Sequence, residues 1–357
     1  MILQFGSGRF LRGFIDRIVS QTDAPPVVMV QRSAGQPAEA INAGDGSYPV
    51  LVRGFADGQK VDREETITNV GRGLAAADDW ADVLDVARDP ALDLIISNGT
   101  EAAYALDDAD TSADAAPPQS VPAKLCAALV ARQKAGLPPV TVLPVELVER
   151  NAERMRDLVL EQAAKWSLGE DVTEFITTCT WRVNLVDCIV TDPAPAHDHP
   201  LAVQAEPYGL LALEGGAVPH TEGHPLVKVV DDLGPISLQK VRILNGLHTA
   251  MVQRYHVMPD APRHVTVRDV LADENAAEFL RSLLETEIVP TIAERCPGVE
   301  TFAAAVMDRF ANPFLEHKLA DIALNHETKL DTRLRPTLQE FREQRQHAAP
   351  LLSGLLK

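Results

Sequence analysis

The chain has 357 residues, enough for two domains with a large core. Its net charge of −18, from 33 basic and 51 acidic residues, argues against nucleic acids and anionic membrane surfaces as partners. Apolar residues make up 46% of the chain. No apolar run approaches the roughly 20 residues that a membrane-spanning helix needs, so we expect no transmembrane segment.

The cysteines and the N-terminal residues bear on the compartment. The four cysteines are scattered and form no C-x-x-C pair, which is typical of reduced thiols and not of disulfides or a zinc site. Residues 1–8, MILQFGSG, lead directly into a motif, so we expect no signal peptide. We therefore expect a cytoplasmic protein that acts on a small molecule. The pattern does not indicate an oligomeric state.

The chain begins with a buried strand, residues 2–5, which a glycine turn connects to a helix. Gly6 and Gly8 bracket the turn, and Arg9 and Phe10 follow them. Strand, G-x-G and helix form the dinucleotide-binding arrangement, in which the second glycine lets the backbone approach the pyrophosphate. The third glycine position of the usual motif is Leu11. Arg9 is either a phosphate ligand or an ordinary surface arginine.

A second parallel strand is predicted over residues 26–30, and Gln31-Arg32-Ser33 follows it. An NAD-preferring Rossmann domain often has an acidic residue here for the ribose 2′-hydroxyl, and this chain has none. Arg32 can bind a 2′-phosphate or cover the adenine. The residues alone leave NAD and NADP open.

The next part of the first half predicts a hairpin over residues 45–67, a helix over 78–87 and a buried strand over 92–96. The strand ends in the sequence SNGTE, which contains Asn98 and Thr100. Ligands gather at the carboxyl ends of strands in open α/β sheets, so both residues are cofactor candidates. The alternative is a polar turn that caps the following helix.

Helices are predicted over residues 123–135 and 152–165, and residues 176–190 read as β-rich, with Asn184 and Asp187 among them. Further on, five polar residues suggest a metal site: His197, Asp198, His199, His220 and His224. Zinc ligands are usually aimed by regular structure, which a proline-rich loop does not provide. We therefore predict no metal.

Strand patterns stop near residue 234, and helical periodicity continues from there to residue 357. The candidate helices are residues 267–271, 274–288 and 299–310. The pattern predicts an α/β Rossmann-type domain with extra β-strands over residues 1–234. An all-α domain for substrate and catalysis would cover residues 235–357.

The stretch KVRILNGLHT, residues 240–249, places a lysine, an amide and an imidazole close together. On an α-helix of about 100° per residue, Lys240, Asn245 and His248 fall within an arc of roughly 140°. A lysine acts as a general base if its pKa falls from about 10.4 to about 7–8. The alternative is a partly buried helix whose lysine and histidine are ordinary surface residues.

The motif K-x4-N-x2-H resembles the catalytic signature of the polyol-specific long-chain dehydrogenases, which include mannitol 2-dehydrogenase. Further segments resemble the family in the same order: QFGSGRFLRGF, SNGTE, LPVELVERN, VDCIV, EPYGLLALEG and RFANPF. The form KVRILNGLHT looks most like the uronate branch, the tagaturonate (altronate oxidoreductase) and fructuronate reductases.

The resemblance implies reversible hydride transfer between a nicotinamide, with NAD first and NADP as an alternative, and an open-chain sugar acid or polyol. Lys240 would be the general acid/base, Asn245 would polarise the carbonyl, and His248 would orient the substrate and tune the lysine. No metal would be needed. Tagaturonate or altronate is the first substrate candidate. A neutral polyol and a non-catalytic dinucleotide sensor are the alternatives.

The resemblance also implies four substrate-binding residues: Asn184, Asp187, Arg309 and Lys329. The family's substrate-binding asparagine lies four residues before the aspartate, where this chain has Val183. The family's arginine after the aspartate is Cys188 here. Asn184 falls one residue later than the family pattern, on the opposite face of a regular strand.

Overall fold

The computed structural model describes residues 1–113, 117–345 and 348–357. It divides into two compact units. The first comprises Met1–Val52, Arg63–Ala205 and Gly209–Leu233, and the second comprises Arg53–Asp62, Glu206–Tyr208 and Gly234–Lys357.

Two short segments depart from a single division at residue 234. Residues 53–62 and 206–208 group with the helical unit. Within that unit the Asn312 side chain donates a hydrogen bond to the Arg53 carbonyl at 3.0 Å, and Asp308 accepts one from the Gly58 N–H at 2.8 Å. Contacts of this kind join residues about 250 positions apart, so local periodicity does not predict them.

The strands of the described residues are, in chain order, β1 Ile2–Phe5, β2 Val27–Gln31, β3 Tyr48–Ala56, β4 Gln59–Ile67, β5 Val70–Ala75, β6 Leu94–Ser97, β7 Thr141–Pro144, β8 Thr180–Trp181, β9 Asn184–Asp187, β10 Val190–Thr191, β11 Val203–Ala205, β12 Leu210–Glu214 and β13 Val227–Val230. A six-stranded parallel sheet has the order β5-β2-β1-β6-β7-β8. Smaller sheets have the orders β10-β11-β3-β4 and β13-β12-β9.

The α-helices of the first unit are Asp16–Ser20, Ala38–Ala43, Trp80–Ala87, Val121–Lys134, Asn151–Lys165 and Glu170–Thr178. A π turn, Leu11–Ile15, precedes the first of them, and a 3₁₀ turn covers Glu101–Ala103. Ser120 caps the fourth by accepting a hydrogen bond from the Ala123 N–H at 3.2 Å. Apolar residues of the parallel strands pack against the last four α-helices in one core.

The prediction that residues 176–190 are β-rich is only partly right. Residues 176–178 close the helix Glu170–Thr178, and only short strands follow. Val172 and Ile176, four residues apart, bury one face of this helix in the core of the first unit. This tertiary burial outweighs the strand preference of the β-branched residues.

The second unit is helical, as predicted. Its α-helices are Gly234–Gln239, Gly246–Val252, Val267–Ala272, Glu274–Leu283, Val289–Ile292, Val299–Phe310, Leu319–Ile322, His326–Lys329, Arg335–Arg345 and Pro350–Leu355. Four π turns interrupt them, at Lys240–Asn245, Gln253–Val257, Leu284–Ile288 and Leu330–Leu334, and a 3₁₀ turn covers Ala293–Arg295. Their apolar faces form a separate core. The predicted fold class, a Rossmann-type domain with extra strands and an all-α domain, is confirmed.

Among the residues with described structure, no helix is both long and apolar enough to cross a membrane.

Candidate active site

The turn after β1 is built around Gly6, whose φ is 132°. Its N–H donates to the Val30 carbonyl at 2.9 Å. A Cβ at this position would lie 2.8 Å from Leu11 Cδ1 and 3.0 Å from the Asn98 carbonyl oxygen. Both the backbone angle and the space therefore require glycine here. Gly6 holds the turn close to the end of β6.

Gly8 differs from Gly6, because a Cβ built on it meets no protein atom within 4 Å. The open space lies at the beginning of a helix, where backbone N–H groups favour an anion. A dinucleotide pyrophosphate fits these features. The absence of a side chain at Gly8 thus leaves room for a ligand, whereas at Gly6 it leaves room for neighbouring protein atoms.

The side chains after Gly8 have separate roles. Arg9 is exposed and forms an ion pair with Asp192. The Phe10 ring packs on the Phe14 ring with centroids 5.4 Å apart. Arg12, which is buried, donates to the Ser7 carbonyl and, at 3.2 Å, to the Leu201 carbonyl. Arg12 therefore braces the glycine turn from within the protein.

The end of β2 is organised by Gln31, a residue that the sequence analysis did not select. Its amide donates to the Ser33 and Gly35 carbonyls at 2.6 and 2.8 Å and accepts from the Ala38 N–H at 2.9 Å. Arg32 points outward, is exposed, and makes a 3.5 Å contact with Gln119. It is accessible to either a ribose hydroxyl or a 2′-phosphate.

The carboxyl ends of β6 and β7 carry a buried carboxyl group. Glu146 accepts hydrogen bonds from Ser97 and Tyr104, both at 3.1 Å, and its burial raises its pKa to about 7. The Asn98 amide donates to the Val145 carbonyl at 3.1 Å. Thr100 is exposed before the 3₁₀ turn, and its side chain makes no capping hydrogen bond.

Asn184, a predicted substrate residue, lies at the start of β9 and is buried. Its amide donates to the Pro144 and Arg182 carbonyls at 2.7 and 3.0 Å, and its oxygen accepts from Asn151 at 3.1 Å. These bonds use both amide donors of Asn184, and its role in binding substrate stays a prediction. Asp187, at the other end of β9, is buried as well.

The signature stretch does not form the regular α-helix that the sequence predicts. Lys240–Asn245 is a π turn, and the α-helix Gly246–Val252 follows it. Hydrogen bonds in a π turn join residues five apart, so Lys240 and Asn245 lie roughly one turn from each other. The angular arc calculated for an α-helix therefore does not hold. Such turns are rare and occur frequently at functional sites.

Lys240 and Asn245 are half-buried, whereas His248 is buried. Burial lowers the pKa of His248 well below 6.5, and nearby His317, Arg309 and Arg333 lower it further. The imidazole hydrogen-bonds to the Leu244 carbonyl, and its Nε2 has no hydrogen-bond partner among the described residues. A neutral ring that donates to Leu244 through Nδ1 has a lone pair on Nε2, which can accept a hydrogen bond.

Two aromatic rings fix the position of His248. Its ring centroid lies 4.6 Å from that of Phe310 and 4.9 Å from that of His317. Burial also lowers the pKa of His317. Two neutral imidazoles in contact give this part of the helical unit hydrogen-bonding capacity without adding a charge of their own.

Arg309, a predicted substrate cation, forms a buried ion pair. Its Nε and one terminal nitrogen donate to Glu206 at 2.9 and 2.8 Å, with the side chains only 2% and 1% exposed. Its guanidinium lies 4.3 Å from the centroid of the Tyr208 ring. Glu206 thus neutralises Arg309, and this pairing favours a structural role over direct binding of a substrate anion.

Lys329 lies beside Arg333, which the sequence analysis missed. Lys329 donates to the Ile322 carbonyl at 2.7 Å. Arg333 donates to the Asn245 carbonyl at 3.4 Å and to the Thr249 hydroxyl at 3.2 Å. A lysine and an arginine four residues apart are like charges on one helix face. This spacing is the sequence feature that could have indicated Arg333 as a second basic candidate.

The possible metal ligands in residues 197–224 do not converge. Within residues 1–113, 117–345 and 348–357, no group of three or more histidine, cysteine or acidic side chains is arranged to hold a metal ion. His220 instead contacts Asp93 at 2.8 Å, and His224 contacts Gln21 at 3.1 Å.

Both parts of the chain match known protein families. Residues 1–223 match the mannitol dehydrogenase Rossmann domain, and residues 232–355 match the mannitol dehydrogenase C-terminal domain. The chain belongs to the mannitol dehydrogenase family. It is therefore a dehydrogenase that acts on CH–OH groups of a polyol or sugar acid, and its Rossmann domain is of the type that binds a nicotinamide dinucleotide. The predicted resemblance and enzyme class are confirmed.

Relatives of this mannitol dehydrogenase family member include altronate oxidoreductases. That of Bacillus subtilis (strain 168) is 35% identical, with 96% of this chain and 75% of the relative covered. That of Yersinia enterocolitica is 34% identical, with 99% and 78% covered.

Two solved structures share the fold at lower identity. D-sorbitol dehydrogenase is 22% identical with a TM-score of 0.81, and 96% of this chain and 76% of that chain are covered. Pseudomonas fluorescens mannitol 2-dehydrogenase, in a ternary complex with NAD and D-mannitol, is 19% identical with a TM-score of 0.75, covering 99% and 77%.

Proposed function

We propose that the protein is an NAD-dependent hexuronate oxidoreductase that interconverts tagaturonate and altronate without a metal. The observation that carries this proposal is the π turn Lys240–Asn245, which directly precedes the helix that carries the buried, neutral His248. Relatives named altronate oxidoreductase, 34–35% identical over most of the chain, support the choice of substrate.

The chemistry of the proposed reaction needs one hydride and one proton. A nicotinamide, when bound, would supply the hydride for reduction of the carbonyl carbon. Lys240 donates the proton to the carbonyl oxygen, and in the reverse direction it accepts the proton from the alcohol. Asn245 donates a hydrogen bond to the same oxygen and stabilises its developing negative charge. The carbonyl oxygen thus becomes the hydroxyl of the secondary alcohol and is not released as an alkoxide.

His248 would orient the substrate as a hydrogen-bond acceptor. Its lowered pKa keeps the imidazole neutral at ordinary pH, and the unpartnered Nε2 accepts a hydrogen bond from a sugar hydroxyl or from the Lys240 ammonium. Asp187 and Lys329 remain proposed substrate residues, whereas Arg309 would support the site through its pair with Glu206.

The dinucleotide would bind along the carboxyl ends of β1, β2 and β6. Gly6 and Gly8 form the turn for the pyrophosphate, with Arg9 and Phe10 beginning the helix behind it. Arg32 lies at the adenosine end, and Asn98 and Thr100 follow β6 toward the nicotinamide ribose. We propose NAD as the cofactor; Arg32, which has no ion pair with a carboxylate among the described residues, is also compatible with NADP.

A substrate panel tests the proposal. Hexuronates, neutral ketoses and polyols are each offered with NADH or NADPH, or with the oxidised forms, and the NADH absorbance band is followed. We expect tagaturonate with NADH to give the highest kcat/KM. Activity with neutral sugars only would move the protein to the polyol branch, and a preference for NADPH would overturn the cofactor choice. Dinucleotide binding without turnover of any substrate would point to the sensor alternative.

A further inference from the structure

Arg333, in the π turn Leu330–Leu334, is a half-buried cation with only neutral partners. Its guanidinium donates to the Asn245 carbonyl and to the Thr249 hydroxyl. No carboxylate of the described residues lies within ion-pairing distance of it. Burial lowers the pKa of Arg333, which means that the protein surrounding it disfavours its charge.

Other shielded arginines of the helical unit have acidic partners. Arg309 is paired with Glu206, and Arg242 donates to Glu340 at 2.7 Å. Removing a charge from water without a counter-ion is unfavourable, and this chain has 51 acidic residues from which a partner could be drawn. The lack of an acidic partner for Arg333 among the described residues therefore indicates a position for an anion from outside this part of the chain.

Lys329 lies four residues before Arg333 and adds a second positive charge. Its ammonium donates to the Ile322 carbonyl, again a neutral group, and in the described parts of the chain no acidic side chain pairs with it. Burial and the nearby Arg333 both lower the pKa of Lys329. Like charges four residues apart destabilise a helix, so the pair opposes folding unless an anion lies between the two groups.

Arg333 is also adjacent to the π turn and helix that carry Asn245 and His248. Arg333 bonds directly to the backbone of Asn245, and its charge contributes to the lowered pKa of His248. An anion held by Arg333 is thus within the same cluster of side chains as the proposed carbonyl-binding residues. A hexuronate carries its carboxylate on the same short chain as its ketone.

We propose that Arg333, assisted by Lys329, binds the substrate carboxylate and determines the preference for a sugar acid over the neutral sugar. This inference rests on the proposed function. The guanidinium suits the task because its planar donors match both oxygens of a carboxylate. A neutral polyol would leave the two cations uncompensated.

The test compares tagaturonate with the neutral ketose D-tagatose for the wild-type enzyme and for Arg333→Gln, Arg333→Lys and Lys329→Met. We expect Arg333→Gln to lower kcat/KM for tagaturonate about 10- to 100-fold, mainly through KM. Its kcat/KM for D-tagatose should fall much less than that for tagaturonate, so that the ratio of the two changes, and its NADH affinity should remain near wild type. Arg333→Lys should restore part of the loss, and Lys329→Met should give a smaller loss than Arg333→Gln. Arg335→Gln is the matched control, because Arg335 is exposed on the adjoining helix and paired with Asp331.

Calorimetry with altronate and the neutral altritol provides a second measurement that needs no turnover. Arg333→Gln should weaken altronate binding much more than altritol binding. Equal losses for charged and neutral ligands would show that Arg333 only supports Asn245, and unchanged uronate affinity would place the carboxylate elsewhere. If the wild-type enzyme reduces no hexuronate, the proposed function fails first and this inference fails with it.

Discussion

Burial shifts the pKa values of two site residues in opposite directions. It lowers the pKa of His248 because a charged imidazole loses its hydration, and it raises the pKa of Glu146 because a carboxylate does. Both side chains therefore favour their neutral forms. The neutral imidazole suits a substrate-orienting role, and the neutral carboxyl suits a turn beside an anionic dinucleotide.

Replacement of Lys240 tests the proton-transfer assignment. Lys240→Ala should lower kcat about 10²- to 10⁴-fold, the usual contribution of a general acid/base. NADH affinity should not change, because the glycine turn that would bind it lies in the other unit. Stopped-flow turnover and fluorescence titration of NADH measure the two quantities. Lys134→Ala, at an exposed helix end, is the control. A mutant with near-wild-type kcat would remove Lys240 from the reaction.

Glu146 should make the stability of the first unit depend on pH. Its folded pKa of about 7 exceeds its usual 4.5, so the folded state binds a proton more tightly than the unfolded state does. The resulting stabilisation is present below pH 4.5 and is lost as the pH rises through 7. We expect Glu146→Gln to gain about 1–3 kcal/mol relative to wild type between pH 5 and 8.

Urea unfolding at several pH values measures this difference, with the exposed Glu161→Gln as control. A difference between Glu146→Gln and wild type that does not vary with pH would show that the buried carboxyl does not titrate in this range.

At the scale of elements, the two glycines of the first turn predict different failures. Gly8→Val should weaken NADH binding by roughly tenfold or more and leave the melting temperature nearly unchanged, because its new side chain meets only ligand space. Gly6→Ala should instead lower the melting temperature, because its Cβ would contact Leu11 and the Asn98 carbonyl. Calorimetry and thermal unfolding separate the two effects. The reverse pattern would show that the turn does not bind the dinucleotide.

Regular elements were predictable where local sequence determines them. Residues 2–5 and 299–310 form the predicted strand and helix, with the same boundaries, because Gly6 follows a short, mostly apolar run in one case and Gly298 precedes a periodic one in the other. The hairpin of β3 and β4 was also predictable from Asp57-Gly58, which has positive φ at both residues.

Features that depend on distant contacts were not predictable. The π turn at Lys240–Asn245 contains one more residue per hydrogen-bonded loop than an α-helix, and no apolar periodicity marks that insertion. Arg333 resembles any surface arginine in the sequence, and its contact with Asn245 spans 88 residues. The ion pair of Arg309 with Glu206 spans 103 residues and was missed for the same reason.

The net charge of −18 is a constraint on the whole molecule. An anionic substrate meets a repulsive field in free solution, so binding requires local positive potential. Arg333 and Lys329 would supply this potential in the helical unit. Added salt should therefore speed the encounter, because it screens the overall repulsion, and weaken local binding, because it screens the attraction to the two cations.

Activity should survive exhaustive chelation. The acid/base group in the proposed mechanism is a lysine, and no metal-like cluster occurs in residues 1–113, 117–345 or 348–357. The measurement is kcat after dialysis against EDTA, with metal content followed by mass spectrometry. Loss of activity that zinc or another metal restores would contradict the mechanism.

Isotope transfer tests the central claim most directly. Wild-type enzyme is given tagaturonate and NADH that carries deuterium at both positions of nicotinamide C4, and the product is analysed by mass spectrometry and NMR. We predict altronate with one deuterium, bonded to the carbon that was the ketone, and loss of this product in Lys240→Ala. Deuterated product from neutral ketoses but none from tagaturonate, or no deuterium transfer to any sugar, would contradict the assignment of this protein as a hexuronate oxidoreductase.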